Sequence, residues 1–271
     1  MIRTILLVAA LGVSTGCSSL PGFDRPQVDV AAHLAVYQLR GRARMQSVAG
    51  GGGLQENGNV DLHDLGVGER DDDVGGTISV GDGFSGTTLS YQKLTMQDSQ
   101  PTTVPTAFGA LVPGDEVRTK VVMDELRLRY IGEVYELQLK NKVEFTFGLG
   151  GTIAHRDLEL FPKRTSDGTG QVLQIKDDGV PYLAGRGRAT YGQTSVQLDW
   201  AHNFGLDFGG DFDGDLQDIE LTVRYAFPLQ NVSVYGGWRR SDLPAGGHMG
   251  PFTYAAAFVL EGYFLGAEMR F

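Results

Sequence analysis

GYFLGAEMRF, Gly262 to Phe271, is the stretch on which the fold turns. Successive side chains of a strand point to opposite faces. Tyr263, Leu265, Ala267, Met269 and Phe271 therefore share one side, and Phe264, Gly266, Glu268 and Arg270 the other. The same period of two runs through VEFTFGLGGTIA, where Val143, Phe145, Phe147, Leu149 and Ile153 alternate with Glu144, Thr146, Gly148 and Gly150. DIELTVRYAF sets Ile219, Leu221, Val223, Tyr225 and Phe227 against Asp218, Glu220, Thr222 and Arg224. No window sustains the i, i+3, i+4 spacing of an amphipathic helix, so these are long antiparallel strands.

Working outward, after an irregular stretch from Ser18 to Ala35, ten strands are predicted: 36–47, 74–82, 85–95, 117–130, 142–155, 180–192, 194–204, 216–227, 231–241 and 257–271. Eight and twelve are the alternative counts. Tight turns (DG, GQ, PLQ) join strands two and three, six and seven, and eight and nine, whereas the intervening connections are long and rich in Gly and Asp. Residues 131–141 are the exception, a connection longer than the other short ones. Short turns on one rim and long loops on the other are the pattern of an up-and-down transmembrane β-barrel. An even strand number returns both ends of the barrel to the periplasm.

Composition excludes the competing classes. The 271 residues include 39 Gly and are 41% hydrophobic, with a mean hydropathy of −0.14. The one apolar, uncharged window, Ile5 to Val13, falls short of the about 20 residues a spanning helix needs. Lys and Arg number 23 against 33 Asp and Glu, a net charge of −10, which argues against a nucleic-acid partner requiring a basic face. One cysteine forms neither an intramolecular disulfide nor a cysteine metal cluster. Arg3, the run ILLVAALGV and the small residues STG read as an export signal over residues 1–16. LGVSTGCSS resembles a lipoprotein signal, which makes Cys17 the acylated residue. Ser14 stands where that family has Leu, and ordinary cleavage would leave Cys17 a free thiol. The domain reading is a signal peptide (1–16), a periplasmic segment (17–35) and a barrel (36–271).

Charge distinguishes the two faces. One carries Arg40, Arg42, Arg44, Glu125, Arg127, Arg129, Glu144, Arg186, Arg188, Asp199, Asp218, Glu220, Arg224, Arg239, Glu268 and Arg270; the other carries Leu39, Ala43, Leu126, Leu128, Tyr130, Leu198, Trp200, Val232, Val234 and Trp238. A soluble sandwich buries its apolar face, and a membrane barrel turns that face to lipid and the polar face to the lumen. Both write the same alternation. Length favours the membrane, since about 9 to 11 tilted residues cross a bilayer and soluble strands run about 5 to 6. Tyr130, Tyr191, Phe227, Tyr263 and Phe271 lie near strand ends, where an interfacial aromatic girdle forms.

A terminal Phe271 preceded by Tyr263, Leu265 and Met269 at every second position resembles the assembly signal of bacterial outer-membrane barrels. DELRLRY, KVEFTFGLGGTIAHRDLEL, VPYLAGRGRATYG, LTVRYAF and FLGAEMRF resemble, in order, strands of the small OmpW/OmpX-like outer-membrane barrels, over about residues 117–271. The resemblance implies a monomer in the outer membrane of a Gram-negative bacterium. Its implied partners are periplasmic chaperones, the barrel-assembly machinery, outer-membrane lipid and lipopolysaccharide. A lipidated Cys17 departs from that pattern.

The charged face is the candidate functional element. In a narrow lumen, arginines and carboxylates interdigitate as a rigid plug, or an arginine excess lines a narrow, anion-favouring pore. Two acidic stretches, Val48 to Gly75 and Gly205 to Asp215, hold nearly all the net negative charge and read as solvated extracellular loops. DFDGD within the second only loosely resembles a calcium loop: Gly214 is misplaced and no Glu follows at the twelfth position. No metal or cofactor is expected. His155 with Asp157, and His202 with Asp199, are the groups an enzyme at the outer rim would use, although no Ser stands beside either His. Gly236 to Trp238 reads as wall, with Trp238 facing lipid. The expected function is non-enzymatic, structural or narrowly pore-forming. The alternatives are a rim hydrolase of lipid or peptide and a soluble lipocalin-like periplasmic lipoprotein.

Overall fold

Alternation of this length cannot be satisfied by isolated hairpins, and the chain closes it into a ring. The computed structural model describes residues 27–47, 59–67, 71–97, 100–139, 142–204, 215–228 and 231–271. Among them twelve strands form: β1 (Gln27–Ser47), β2 (Val60–Asp61), β3 (Asp71–Gly81), β4 (Gly86–Gln97), β5 (Thr102–Thr103), β6 (Glu116–Gln138), β7 (Val143–Arg164), β8 (Leu173–Tyr191), β9 (Thr194–His202), β10 (Gln217–Ala226), β11 (Val232–Met249) and β12 (Phe252–Arg270). Each long strand pairs antiparallel with the next, and β12 pairs back onto β1, so that ten strands close a barrel with no free edge. The two-residue β2 and β5 sit on β1 and β6 at the upper rim.

The lower rim consists of tight turns. Asp82 Oδ1 accepts the backbone N–H groups of Phe84 (2.8 Å) and Ser85 (2.6 Å) in the β3–β4 turn, which Gly83 enters at φ 91°. The β6–β7 connection is as short, because β6 continues to Gln138 through an irregularity between Glu133 and Tyr135; the long loop expected at 131–141 is strand as far as Gln138. Two of the upper connections are also shorter than expected, whereas that between β9 and β10 is slightly longer. β7 and β8 extend to 164 and from 173, and β11 and β12 are joined by Gly250 (φ 57°) and Pro251 alone. β1 begins at Gln27, so residues 27–35 belong to the barrel and not to a periplasmic segment. Extra strand at the upper rim follows from the register: these hairpins keep pairing after they leave the bilayer.

The wall inverts along its height. Inward residues of β6, from the top, are Val117, Thr119, Val121 and Met123, then Glu125, Arg127 and Arg129; outward residues are Arg118, Lys120, Val122 and Asp124, then Leu126, Leu128 and Tyr130. β7 repeats this in register, with Met123 opposite Leu158 and Glu125 opposite Arg156. Pro162, Leu160 and Leu158 point inward above Arg156, and Lys163, Glu159, Asp157 and His155 point outward above Ile153, Leu149 and Phe147. The lower half is apolar outside and charged inside; the upper half is the reverse. Its interior is packed by Leu39, Met45, Leu94, Met96, Phe258 and Leu260 from the wall and by Leu62, Leu65, Val104, Phe108 and Leu111 from the connections. Each such side chain contributes about 1.5–3 kcal/mol.

Outside, the apolar zone runs from Val143 to Ile153 on β7 and from Tyr263 to Phe271 on β12, about the 9 to 11 residues that cross a bilayer at a tilt. Phe145, Tyr191, Tyr225, Phe227 and Phe271 ring its lower edge and Trp200, Trp238 and Tyr263 its upper edge. The Trp238 indole N–H donates to Glu261 (3.1 Å), the wet end of an interfacial aromatic.

Candidate functional site: a charged plug in the lumen

Where inward columns change from apolar to charged, the first layer is a five-membered ionic cluster. β6, β7, β10 and β11 supply Glu125 and Arg127, Arg156, Asp218, and Arg239. The Arg127 guanidinium donates to Glu125 (3.0 Å) and Asp218 (2.9 Å). Arg156 donates through Nε to Glu125 (2.6 Å) and through Nη2 to Asp218 (2.7 Å). Arg239 donates to Glu125 (2.7 Å), to Asp218 (3.3 Å) and to Gln92 (2.8 Å). Tyr182 stacks beneath Arg156, with the cation 5.4 Å from the ring centre, and its hydroxyl pairs with the same guanidinium; Ser241 donates to Asp218. All five ionic side chains are buried. Planar guanidinium groups suit the arrangement, since each reaches both carboxylates, Arg156 through Nε and Nη2 and Arg127 and Arg239 through Nη2.

Below this layer Asp199 accepts from Arg129 (3.0 Å) and Arg186 (2.8 Å). Arg188 donates to Gln197 (2.9 Å), not to a carboxylate. Lower still, Arg224 pairs with Glu268 (3.0 Å), to which Ser233 also donates (3.2 Å), and at the rim Arg270 pairs with Asp29 (2.9 Å). Glu220 accepts from Thr222 (3.3 Å) and Glu144 from Thr146 (3.4 Å). Arg129, Arg186, Arg188, Asp199, Arg224 and Glu268 line a polar cavity of about 150 Å³. Its lower mouth is covered by the β3–β4 turn: the buried Phe84 ring lies under Arg188 (5.2 Å) and Arg186 (6.0 Å), and its carbonyl accepts from Arg186 (2.8 Å). Gly148 leaves room for that ring, since a Cβ there would stand 2.9 Å from Phe84 Cε1.

The predicted charged face thus divides. Glu125, Arg127, Arg129, Glu144, Arg186, Arg188, Asp199, Asp218, Glu220, Arg224, Arg239 and Glu268 point into the lumen, and Arg270 sits at its lower edge. Arg40, Arg42 and Arg44 are a correction: they are exposed on the outer wall, and Leu39, Ala43 and Met45 point inward. This part of β1 lies above the bilayer, where water is outside and the dry core inside, so the rule for the lower half reverses. Arg156, Gln92, Tyr182, Ser241 and Phe84 join the site unannounced. Arg156 is in phase with Glu144, Thr146 and Thr152, a signal lost by ending that strand at residue 155.

Of the two predicted histidine–aspartate pairs, one is split by the barrel wall and the other lies on its outer face. Asp199 points inward, whereas His202 points outward, stacked on Trp200 (5.9 Å) and edge-on to Phe204 (4.4 Å). His155 is exposed on the outer wall, and Asp157 beside it pairs with Lys176 (3.7 Å). Among the described residues no group of three or more His, Cys, Asp or Glu is placed to hold a metal. The export signal, Cys17, half of the stretch Val48 to Gly75 and all of Gly205 to Asp215 but Asp215 lie outside the described residues; the described half of the first stretch is not a solvated loop, since it forms β2 and the start of β3 and buries Leu62, Leu65 and Val67. Phe271 closes the β1–β12 seam by exchanging backbone hydrogen bonds with Val28 (2.9 and 3.3 Å), its ring exposed at the lower rim beside the column of Tyr263, Leu265 and Met269.

No protein-family model and no curated protein sequence matches the chain. Among solved structures it is similar to the outer membrane protease OmpT from Escherichia coli, with a TM-score of 0.52 and 13% identity over 90% of this chain and 97% of that one. The translocator domain of autotransporter NalP from Neisseria meningitidis aligns with a TM-score of 0.38 and 12% identity over 100% and 95% of the two chains. For a Pseudomonas aeruginosa FadL homologue the values are 0.35, 9%, 92% and 90%. The fold and the inverted wall define the class: an outer-membrane β-barrel. At 13% identity the likeness to OmpT extends to the fold and no further.

Proposed function

We propose that the protein is a closed, non-enzymatic outer-membrane barrel of a Gram-negative bacterium, a structural element holding a rigid extracellular extension above the bilayer. One observation carries the reading: the upper interior is filled with side chains such as Met45, Leu94, Met96 and Met123, each at most 1% exposed. Water and ions have no path through such packing. The charged layer beneath rigidifies the wall, tying β6, β7, β10 and β11 together across the lumen. Periplasmic chaperones and the barrel-assembly machinery are the proposed assembly partners, lipopolysaccharide the proposed lipid neighbour, and the monomer the proposed state. The separation of Asp199 from His202 by the barrel wall supports the absence of a catalytic group.

Planar-bilayer recording tests this directly. The purified barrel is expected to give no steady conductance at either polarity. A reproducible anion-selective conductance would replace this reading with the pore that an arginine-lined lumen otherwise suggests.

A further inference from the structure

We propose that the outward arginine ladder of β1, Arg40, Arg42 and Arg44, binds the phosphorylated sugar headgroup of an outer-leaflet glycolipid. The inference rests on the reading of the lower wall as membrane-embedded and names what meets the wall just above it.

Alternate residues of a strand stand about 6.6 Å apart on one face, so three guanidinium groups form a column about 13 Å long. All three are exposed. Their register partners on β12 are Val259, Ala257 and Ala255, and beyond these on β11 come Pro244 and Gly246, opposite Ala257 and Ala255. The ladder therefore edges a flat strip of small side chains, open to a saccharide lying against it.

Among the described residues the three guanidinium groups form no ion pair, and Arg40 donates to Gln38 Oε1 (2.5 Å). Three other cations of the upper outer wall are bridged, Lys93 to Asp124 (3.5 Å), Lys176 to Asp157 (3.7 Å) and Arg240 to Asp242 (3.1 Å), whereas Arg118, Lys120 and Lys163 on β6 and β7 form no ion pair among the described residues. Among the described residues, no carboxylate lies within 4.0 Å of the three ladder guanidinium groups. Asp61, opposite Arg42 on β2, instead accepts the backbone N–H of His63 (3.0 Å). In a chain of net charge −10, three exposed arginines in one column, none of them ion-paired among the described residues, mark a surface that meets anions.

Height selects the anion. The outward apolar column of β1 is Val30, Leu34 and Val36. At about 3.3 Å per residue and a tilt near 45°, Arg40 stands about 9 Å above Val36 and Arg44 about 19 Å above it. A phospholipid headgroup layer is only about 5–7 Å deep. A ligand that engages the whole ladder carries negative charge beyond that layer, as a phosphorylated oligosaccharide headgroup does.

The test uses the full barrel in zwitterionic nanodiscs. It is titrated with rough-type lipopolysaccharide bearing phosphorylated core sugars, with the same lipid after dephosphorylation, and with phosphatidylglycerol. An arginine near an anionic surface is worth about fivefold in binding, so the combined variant Arg40→Gln, Arg42→Gln, Arg44→Gln is expected to bind the phosphorylated lipid roughly 100-fold more weakly. The bridged Arg240→Gln is expected to stay within about twofold of wild type. If the combined variant does not fold, Arg42→Gln and Arg44→Gln alone are each expected to lose about fivefold. Wild-type affinity in the ladder variants overturns the proposal, as does equal binding of the dephosphorylated lipid or phosphatidylglycerol, or an equal loss with Arg240→Gln. A wild-type chain that stays soluble without detergent and migrates identically before and after boiling overturns the membrane reading as well.

Discussion

Glu125 and Asp218 each meet the same three guanidinium groups, and that sharing makes the layer sensitive to a single atom. Glu125→Gln keeps the shape of the side chain but leaves Arg127, Arg156 and Arg239 facing one carboxylate in a buried layer. Removing one partner of a buried ionic cluster costs about 3–5 kcal/mol. The urea midpoint for unfolding from lipid vesicles is expected to fall accordingly; an unchanged midpoint would show that the layer is hydrated in the membrane. Phe84→Ala uncovers the lower mouth of the cavity and yet is expected to leave the barrel non-conducting, because the dry core above is untouched. Current through Phe84→Ala alone would locate the seal in the turn. Phe84 was not legible in the sequence, since no periodicity tells whether a turn residue folds under the rim or away from it.

Strands carried most of the legible information. Lower-half faces follow from parity, and the structure keeps that parity on β6, β7, β9, β10, β11 and β12. Strand ends were less legible, because outside the bilayer the hairpins lose the contrast of greasy and charged faces while still pairing. The corner made by the start of β6 and the end of β7 shows what holds them. Asp115 accepts the backbone N–H of Val112 (2.9 Å) and a bond from Arg164 (2.8 Å); Asp167 accepts the N–H of Thr169 (2.9 Å) and also pairs with Arg164 (3.1 Å). The Val112 N–H, aided by Arg164, holds the Asp115 carboxyl below its usual value, and the Thr169 N–H does the same for Asp167. Carboxylates with lowered values stabilise the folded corner above the ordinary carboxylate range and cease to as pH falls through the folded value. Hydrogen exchange at Val112 and Thr169, corrected for its intrinsic pH dependence, is therefore expected to lose protection below about pH 4. In Asp115→Asn the Val112 response should vanish; its persistence would point to another titrating group.

For the molecule as a whole, the inversion at the level of Met123 and Glu125 divides one continuous wall between two solvents. The same substitution should have unequal costs on its two sides. Leu128→Arg places a charge in the apolar belt, with a penalty of about 2–4 kcal/mol near the midplane. Ala257→Arg, on the outer wall above the belt, should fall within about 0.5 kcal/mol of wild type. Folding into vesicles of fixed thickness, followed by protease protection, compares them; equal penalties would mean that the belt does not meet hydrocarbon.

By itself, the amino-acid sequence determined that the chain is a ring of long antiparallel strands with one greasy and one charged face, because period two is a local property of each segment. The tertiary structure alone decided which face meets which medium at each height. Arg40 and Arg127 look alike in the sequence, each an arginine in a run where charged residues alternate with uncharged ones, yet one stands in water outside the wall and the other is locked inside it. Solvent is not encoded residue by residue: it depends on how far along its strand each side chain lies once the barrel has closed and its apolar belt has set the position of the bilayer.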